Sequence, residues 1–198
     1  MPDIDTSKLE AVNTMLSLIG EAAVNSLTTN LSADVALAIR TLDEQDRQLQ
    51  LRGWNWNTDH EVSITPDSNG RYVWQTDWIR FDVDDQFAQT DVNIERRGGY
   101  LWNAAKNTDV FTQGSFKGTL IRYIDWADIP ERARNYVMVR SARIFLTRTL
   151  GDEARAGYAV DDERHAWHAM QEAETEQAEY NILTTGAWPQ MQRSRRVW

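Results

Sequence analysis

Apolar residues recur at helical intervals in two segments at the start of the chain. Ser7 and Glu10 have the spacing of a capping box, and Gly20 supplies a stop signal. The stripe between them comprises Leu9, Val12, Met15, Leu16 and Ile19. A second stripe comprises Val35, Ala38, Ile39, Leu42 and Leu49. Ser32 is placed to cap its start and Gly53 to end it, so the pattern predicts two amphipathic helices.

After Gly53 the apolar period changes from that of a helix to that of a strand. Trp54 and Trp56 would lie on the same side of an extended chain, because strand side chains repeat every second residue. The pattern predicts strands over 62–64, 72–74, 78–83 and 119–124, and a hairpin over 92–102. Pro66–Gly70 is a predicted turn, and Gly98-Gly99 is placed at the hairpin turn. Short strands separated by turns indicate a small sheet or barrel.

Helical periodicity returns near Asp128. This residue is predicted as an N-cap, with Pro130 in the first turn and Glu131 three residues after the cap. Gly151 closes this third helix. A fourth helix is predicted from the seam Ala166, Met170, Ala173, Gln177 and Tyr180. Gly157 is expected to interrupt its start, since glycine is a poor helix former.

These elements predict an α+β fold, in which a four-helix-type helical body carries an inserted small antiparallel β subdomain. The expected boundaries are 1–53 for the first half of the helical body, 54–126 for the β subdomain, 127–186 for the second half of the body, and 187–198 for a flexible C-terminal tail. The insertion begins where the second helix is followed by the paired tryptophans.

Composition and charge exclude several classes of protein. Of 198 residues, 41% are hydrophobic, which is enough for a folded core, and the formal net charge is −9. Because nucleic-acid binding depends on Lys and Arg releasing counterions, an acidic chain has no bulk affinity for phosphate. The chain has no cysteine, so disulfides and thiolate metal sites are excluded. No apolar run approaches the ~20 residues that span a bilayer, and the polar N-terminal residues predict no secretory signal.

Nine tryptophans and a basic C-terminal segment are the candidates for contact with a partner. Tryptophan buries a large area at low entropic cost, both in cores and at interfaces, so both interpretations stay open. Six residues are singled out as candidate partner-binding residues: Trp54, Trp56, Arg193, Arg195, Arg196 and Trp198. The three arginines could instead touch nucleic acid weakly or belong to a frayed chain end.

Catalytic motifs are absent from the sequence. It has neither a phosphate-binding GxxxxGK[ST] loop nor a GxSxG nucleophile elbow. His165, His168 and Glu172 have a spacing that one metal ion could bridge, but a solvated helix face has the same pattern. Asp82 and Glu95 are a conceivable carboxylate pair for glycoside hydrolysis, which requires a separation that a sequence does not define. We therefore predict no cofactor, no metal site and no catalytic residue.

Several segments, in order along the chain, resemble the tail tubular protein A family of T7-like podoviruses. The N-terminal helices match in VNTMLSLIGE and ADVALAIR, and the corner after them matches in RGWNWN. Further matches are ERRGGYLW, with its RGGY turn, and IRYIDWADIPERARNYVMVRSARIF, which joins a strand to a helix. The resemblance covers most of the chain and is poor after about Ala187. Family members often carry prolines after the Ile-Gly-Glu step, where this chain has Ala22-Ala23, so the first loop is expected to be less rigid.

This resemblance implies a structural protein of a bacteriophage virion. In the family, copies form a dodecameric ring below the portal protein and above the tail nozzle, which is tail tubular protein B. The ring is an adaptor, or head–tail connector, and a gatekeeper through which double-stranded DNA passes during genome ejection. The resemblance therefore implies self-association, portal and nozzle partners, no enzymatic activity, and a place in the tail after assembly in the bacterial host cytoplasm.

The residues themselves are compatible with that function. A surplus of negative charge lets DNA phosphates pass without binding, and a closed ring needs two complementary faces on each subunit. Tryptophans and amphipathic helices would supply such faces. Two other classes stay open, a tail-associated cell-wall hydrolase that uses carboxylates of the β subdomain and a monomeric binding module.

Overall fold

Four α-helices and five strands form the part of the chain that the computed structural model describes. That part is residues 6–29, 31–83, 94–112, 114–151 and 153–184, with side chains of the last segment described over 160–176. The helices are α1 (Lys8–Leu18), α2 (Ala33–Gln50), α3 (Glu131–Leu150) and α4 (Glu153–Thr184). The strands are β1 (Thr58–Ile64), β2 (Trp78–Val83), β3 (Ile94–Arg97), β4 (Tyr100–Asn103) and β5 (Phe116–Arg122). The α+β prediction is confirmed.

The chain divides into two compact units. The β unit is the continuous segment Gln50–Ile124, and the helical unit combines the residues that precede and follow this segment. In the helical unit α3 is the central element, because both α1 and α4 pack against it. α2 is tied to α3 by hydrogen bonds from Arg140 Nε to Gln45 Oε1 (2.7 Å) and from Arg148 to Thr41 Oγ1 (3.2 Å).

Three predicted helix signals are confirmed. Ser7 Oγ accepts a hydrogen bond from the backbone N–H of Glu10 (3.1 Å) and caps α1. Ser32 Oγ accepts one from Val35 (3.3 Å) at the start of α2. Gly151 ends α3 in the left-handed region, with φ of 63°, which favours glycine because it has no Cβ. Local capping chemistry therefore sets these three helix ends.

Two details of the later helices differ from the prediction. α3 begins at Glu131 with Pro130 as its N-cap, two residues later than expected. Proline disfavours helical geometry at the residue before it, so Ile129 stays outside the helix. The Glu131 carboxylate does not fold back toward Asp128; it accepts hydrogen bonds from Thr6 N (2.8 Å) and Thr6 Oγ1 (2.6 Å). α4 also continues through Gly157 without a break. A single helical glycine costs only about 1 kcal/mol, which packing against α3 offsets.

In its described residues, the β unit contains two antiparallel sheets around an aromatic core. β5 lies between β1 and β2, and β3 pairs with β4 as the predicted hairpin. The buried core comprises Ile64, Tyr72, Trp74, Trp78, Phe81, Leu101, Phe111, Phe116 and Leu120. The strand predicted over 72–74 is reduced to one bridge, between Val73 and Tyr100, and the last strand starts at Phe116 and ends at Arg122. Gly118 lies inside that strand, where a glycine weakens the sequence signal.

The corner after α2 differs from the extended strand that the alternation of Trp54 and Trp56 predicts. It is a short 3₁₀ turn that is organised by the buried side chain of Asn57. Asn57 Oδ1 accepts a hydrogen bond from the backbone N–H of Trp54 (2.7 Å), and Nδ2 donates to the carbonyls of Gln50 and Arg122 (3.0 Å each). One amide therefore satisfies three backbone groups and turns the chain before β1 begins.

Candidate assembly surfaces

An open groove lies between α1, α3 and α4 in the helical unit. Its floor is one stripe of α3 side chains at helical spacing: Asn135, Met138, Val139, Ala142 and Leu146. Thr14 and Leu18 of α1 form one wall, and Ala166 and Ala169 of α4 form the other. The groove encloses about 780 Å³, and Leu18 at its edge is 43% exposed. A mainly apolar groove between helices has the chemistry of a docking site for another amphipathic helix.

The arginine in the groove lining is neutralised within the helical unit. Glu163 of α4 accepts hydrogen bonds from Arg143 Nε and from Arg140 (3.0 Å). The Glu163 side chain is only 15% exposed, so this ion pair is partly shielded from water and joins α4 to α3. Tyr136 and Trp167, with ring centroids 5.0 Å apart, join the same two helices. The groove is therefore framed by fixed contacts, and the one α3 cation in its lining, Arg143, is held in an ion pair with Glu163.

Carboxylates without ion partners continue along the groove walls. On α4, Asp162, Glu172 and Glu176 are exposed and follow the wall stripe at helical spacing. On α1, the exposed Glu10 precedes Thr14 by one turn. Within the part of the chain that the structure describes, none of these four acids forms an ion pair. The groove thus combines an apolar floor with negatively charged walls.

The outer face of α2 is a second uncovered surface. It comprises six residues that repeat at helical spacing: Ala33, Ala36, Leu37, Arg40, Glu44 and Arg47. Leu37 and Glu44 are half-buried and the other four are exposed. Neither arginine forms an ion pair with a described residue. The neighbouring Glu44 is hydrogen-bonded by Arg148 (3.1 Å), which lowers the pKa of Glu44, with smaller contributions from Arg40 and Arg47. Because Arg148 neutralises Glu44, Arg40 and Arg47 give this small, partly apolar face a positive charge.

A cluster of arginines stacked on aromatic rings lies in the β unit, and sequence reasoning did not find it. The pairs are Arg71 over Tyr100 (4.4 Å to the ring centroid), Arg96 over Trp74 (5.6 Å) and Arg97 over Trp102 (4.4 Å). The predicted hairpin contained a signal for one of these pairs. Its register sets Arg97 opposite Tyr100 and Glu95 opposite Trp102, which makes Arg97 and Trp102 diagonal neighbours on adjacent strands. Arg71 is also paired with Asp67 (3.7 Å) and Asp109 (3.9 Å). Arg96 and Arg97 form no ion pair with a described residue, so stacking holds their guanidinium groups in place and leaves the N–H edges available for an acidic partner.

The structure describes two of the six candidate partner-binding residues. Trp54 and Trp56 are half-buried at the corner after α2. Arg193, Arg195, Arg196 and Trp198 lie outside the described residues, so their role stays a prediction. Elsewhere Trp74, Trp78 and Trp126 are buried, and Trp102 and Trp167 are half-buried. The tryptophans of the described residues thus contribute to cores first, with half-buried rings at the surface.

The two chemical candidates lack the surroundings that catalysis or metal binding needs. Among the described residues, no group of three or more His, Asp or Glu side chains could hold a metal ion, which includes the set around His165 and His168. Asp82 is exposed and paired with Arg80 at 2.8 Å, and Glu95 is also exposed. Glycoside hydrolysis needs one carboxyl group kept protonated by a buried environment, and neither side chain has one.

Most of the chain matches a known protein family. The model of the tail tubular protein family matches residues 9–180. The chain belongs to the tail tubular protein family. The resemblance inferred from its sequence segments is thereby confirmed, while no curated protein matches the chain. This tail tubular protein is accordingly a structural component of a phage virion tail. No helix in the described residues is long and apolar enough to cross a membrane.

Proposed function

We propose that this tail tubular protein forms a ring that joins the portal protein to the tail nozzle and encloses part of the DNA ejection channel. The ring acts as a head–tail adaptor and gatekeeper, with twelve copies expected from the resemblance to T7-like podoviruses. The protein performs no reaction; its function is to hold two larger assemblies together and to let double-stranded DNA pass. Particles acquire it in the bacterial host cytoplasm, as the resemblance implies.

The observation that carries this proposal is the presence of two different uncovered surfaces on the helical unit. One is the apolar groove with carboxylates on its walls, and the other is the cationic outer face of α2. A ring requires a heterologous interface, in which two distinct and complementary patches of each subunit meet by rotation. A protein that stays monomeric has no need for two such surfaces.

The charge distribution supports a channel for DNA. The whole chain has 30 acidic and 21 basic residues, which gives a net charge of −9. Negative walls repel DNA phosphates, so that the genome slides without being held by counterion release. The stacked arginines of the β hairpin are a separate cationic surface, suited to contact with the nozzle or a neighbouring subunit.

The test is to mix the purified protein with portal protein and to image the complexes by electron microscopy. We expect a ring coaxial with the portal, and its rotational symmetry gives the number of copies. Light scattering of the protein alone and of portal alone provides the controls. A protein that remains a monomer and ignores portal would overturn the adaptor proposal. Particles that lack this protein and still join their tails and deliver DNA would overturn it as well.

A further inference from the structure

The groove of the helical unit and the outer face of α2 are complementary surfaces on one chain. We infer that the groove between α1, α3 and α4 receives the outer face of α2 from a second copy. This inference rests on the proposed ring and names the contact that closes it. It is carried by three features: the direction of the two surfaces, the length and shape of the face relative to the groove, and the opposite charge of the two surfaces.

The two surfaces face away from each other across α3. Val139 on the groove floor and Arg148, which binds α2, are nine residues apart. This separation is about two and a half turns at 3.6 residues per turn, so the two side chains leave α3 on opposite sides. On α2, Thr41 and Gln45 face α3, whereas Arg40 and Arg47 are exposed. The groove and the outer face of α2 therefore cannot contact each other within one copy. Between copies, each subunit would use its groove for one neighbour and its α2 face for the other, which is the head-to-tail arrangement that a ring requires.

The outer face is long enough to cover the floor of the groove. The floor extends over eleven residue steps, from Asn135 to Leu146, and the outer face over fourteen, from Ala33 to Arg47. At 1.5 Å per residue, the floor is about 16 Å long and the face about 21 Å long. The first half of the outer face presents alanines, which allow a helix to approach an apolar floor closely, and Leu37 adds an anchor of larger volume.

The charges at the rims also match. Asp162, Glu172 and Glu176 lie along the α4 wall without ion partners among the described residues. Arg40 and Arg47 on α2 are likewise without ion partners there. Docking would bring these two sets together at the edge of an apolar contact. Opposite charges at an interface rim select the orientation and the partner more than they raise affinity.

Because the chain has no cysteine, engineered cysteines test the contact directly. Ala36→Cys on α2 and Ala169→Cys on the groove wall are combined in one chain and assembled on portal under oxidising conditions. We expect a ladder of cross-linked multimers on a non-reducing gel, because each copy links to a different copy on either side. A ladder that ends at the dimer would overturn the head-to-tail contact. Ala36→Cys with Ala127→Cys, an exposed position outside the groove lining, is the matched control and should stay uncross-linked.

Charge reversal tests the rim contacts independently. Arg40→Glu should weaken ring formation about tenfold by opposing the carboxylates of the groove wall, and Asp162→Arg in the same chain should restore it. Lys117→Glu, which reverses an exposed cation of the β unit, should leave assembly unchanged. Normal assembly of Arg40→Glu, or failure of the second change to rescue it, would overturn the inference.

The outcomes separate this inference from the proposed function. Rings that form on portal without the cysteine ladder and without sensitivity to Arg40→Glu would refute the groove contact and leave the adaptor function standing. If neither the natural chain nor any variant forms a ring with portal, both proposals fail together.

Discussion

Asn57 provides a sharp test of how the first turn of the β unit is held in place. Its amide is 2% exposed and makes three hydrogen bonds to backbone groups of Trp54, Gln50 and Arg122. Asn57→Ala would remove all three and leave buried backbone groups unsatisfied. At about 1 kcal/mol for each hydrogen bond, the expected loss is about 3 kcal/mol in the free energy of unfolding. Asn25→Ala, at an exposed position, is the matched control and should change stability by less than about 0.5 kcal/mol.

The assay is urea and thermal unfolding, followed by tryptophan fluorescence, since five of the nine tryptophans lie in the β unit. A loss of about 3 kcal/mol lowers the melting temperature by about 6–12 °C in a chain of this size. Asn57→Asp should be at least as harmful as Asn57→Ala, because a carboxylate would face two carbonyl oxygens. A stability loss below about 1 kcal/mol for Asn57→Ala would refute the assigned role of this amide.

Three further predictions address packing, pH dependence and assembly. Gly118→Ala should destabilise the β unit by about 1–3 kcal/mol in urea unfolding, because its Cβ would lie 2.3 Å from the Asp82 carbonyl oxygen; Gly114→Ala, with open space around it, should have little effect. The Arg148 hydrogen bond lowers the pKa of Glu44 below its usual 4.5, so the contact stabilises the fold above pH 4.5 and this stabilisation is lost as the pH falls through and below that value. The difference in unfolding free energy between the natural chain and Glu44→Gln should therefore shrink at low pH. A difference that stays constant with pH would contradict this assignment. Deletion of 193–198 should leave the circular dichroism spectrum unchanged and weaken assembly on portal, whereas full assembly would make that segment dispensable.

The helices and the hairpin were predictable because their signals are local. A serine cap accepts a hydrogen bond from a backbone group three residues away, as Ser7 does from Glu10 (3.1 Å). A glycine that follows a helix ends it by adopting a positive φ, which its lack of a Cβ allows. The β3–β4 hairpin likewise depends on Gly98 and Gly99, which both adopt positive φ at the turn. In each case the residues that determine the structure are neighbours in the chain.

The misplaced elements depend on distant partners. Glu131 binds Thr6, 125 residues earlier, and this contact takes the place of the capping interaction predicted with Asp128. Asn57 binds the carbonyl of Arg122, 65 residues later, and this bond converts an expected strand into a turn. Periodicity alone assigned the two tryptophans at that corner to an extended chain, because the pattern does not record which buried amide satisfies the backbone.

The sequence by itself determined the class of elements, the position of most helix ends, the aromatic content of the β unit and the family of the protein. Tertiary structure alone decided which helical stripes are covered and which stay open. Leu18, Val139 and Ala169 are ordinary members of three amphipathic helices until folding brings them together on one groove. The physical reason is that an amphipathic pattern predicts which face of a helix is buried but not the element that buries it. Only the packing of α1 and α4 around α3 shows that this groove remains uncovered within one copy.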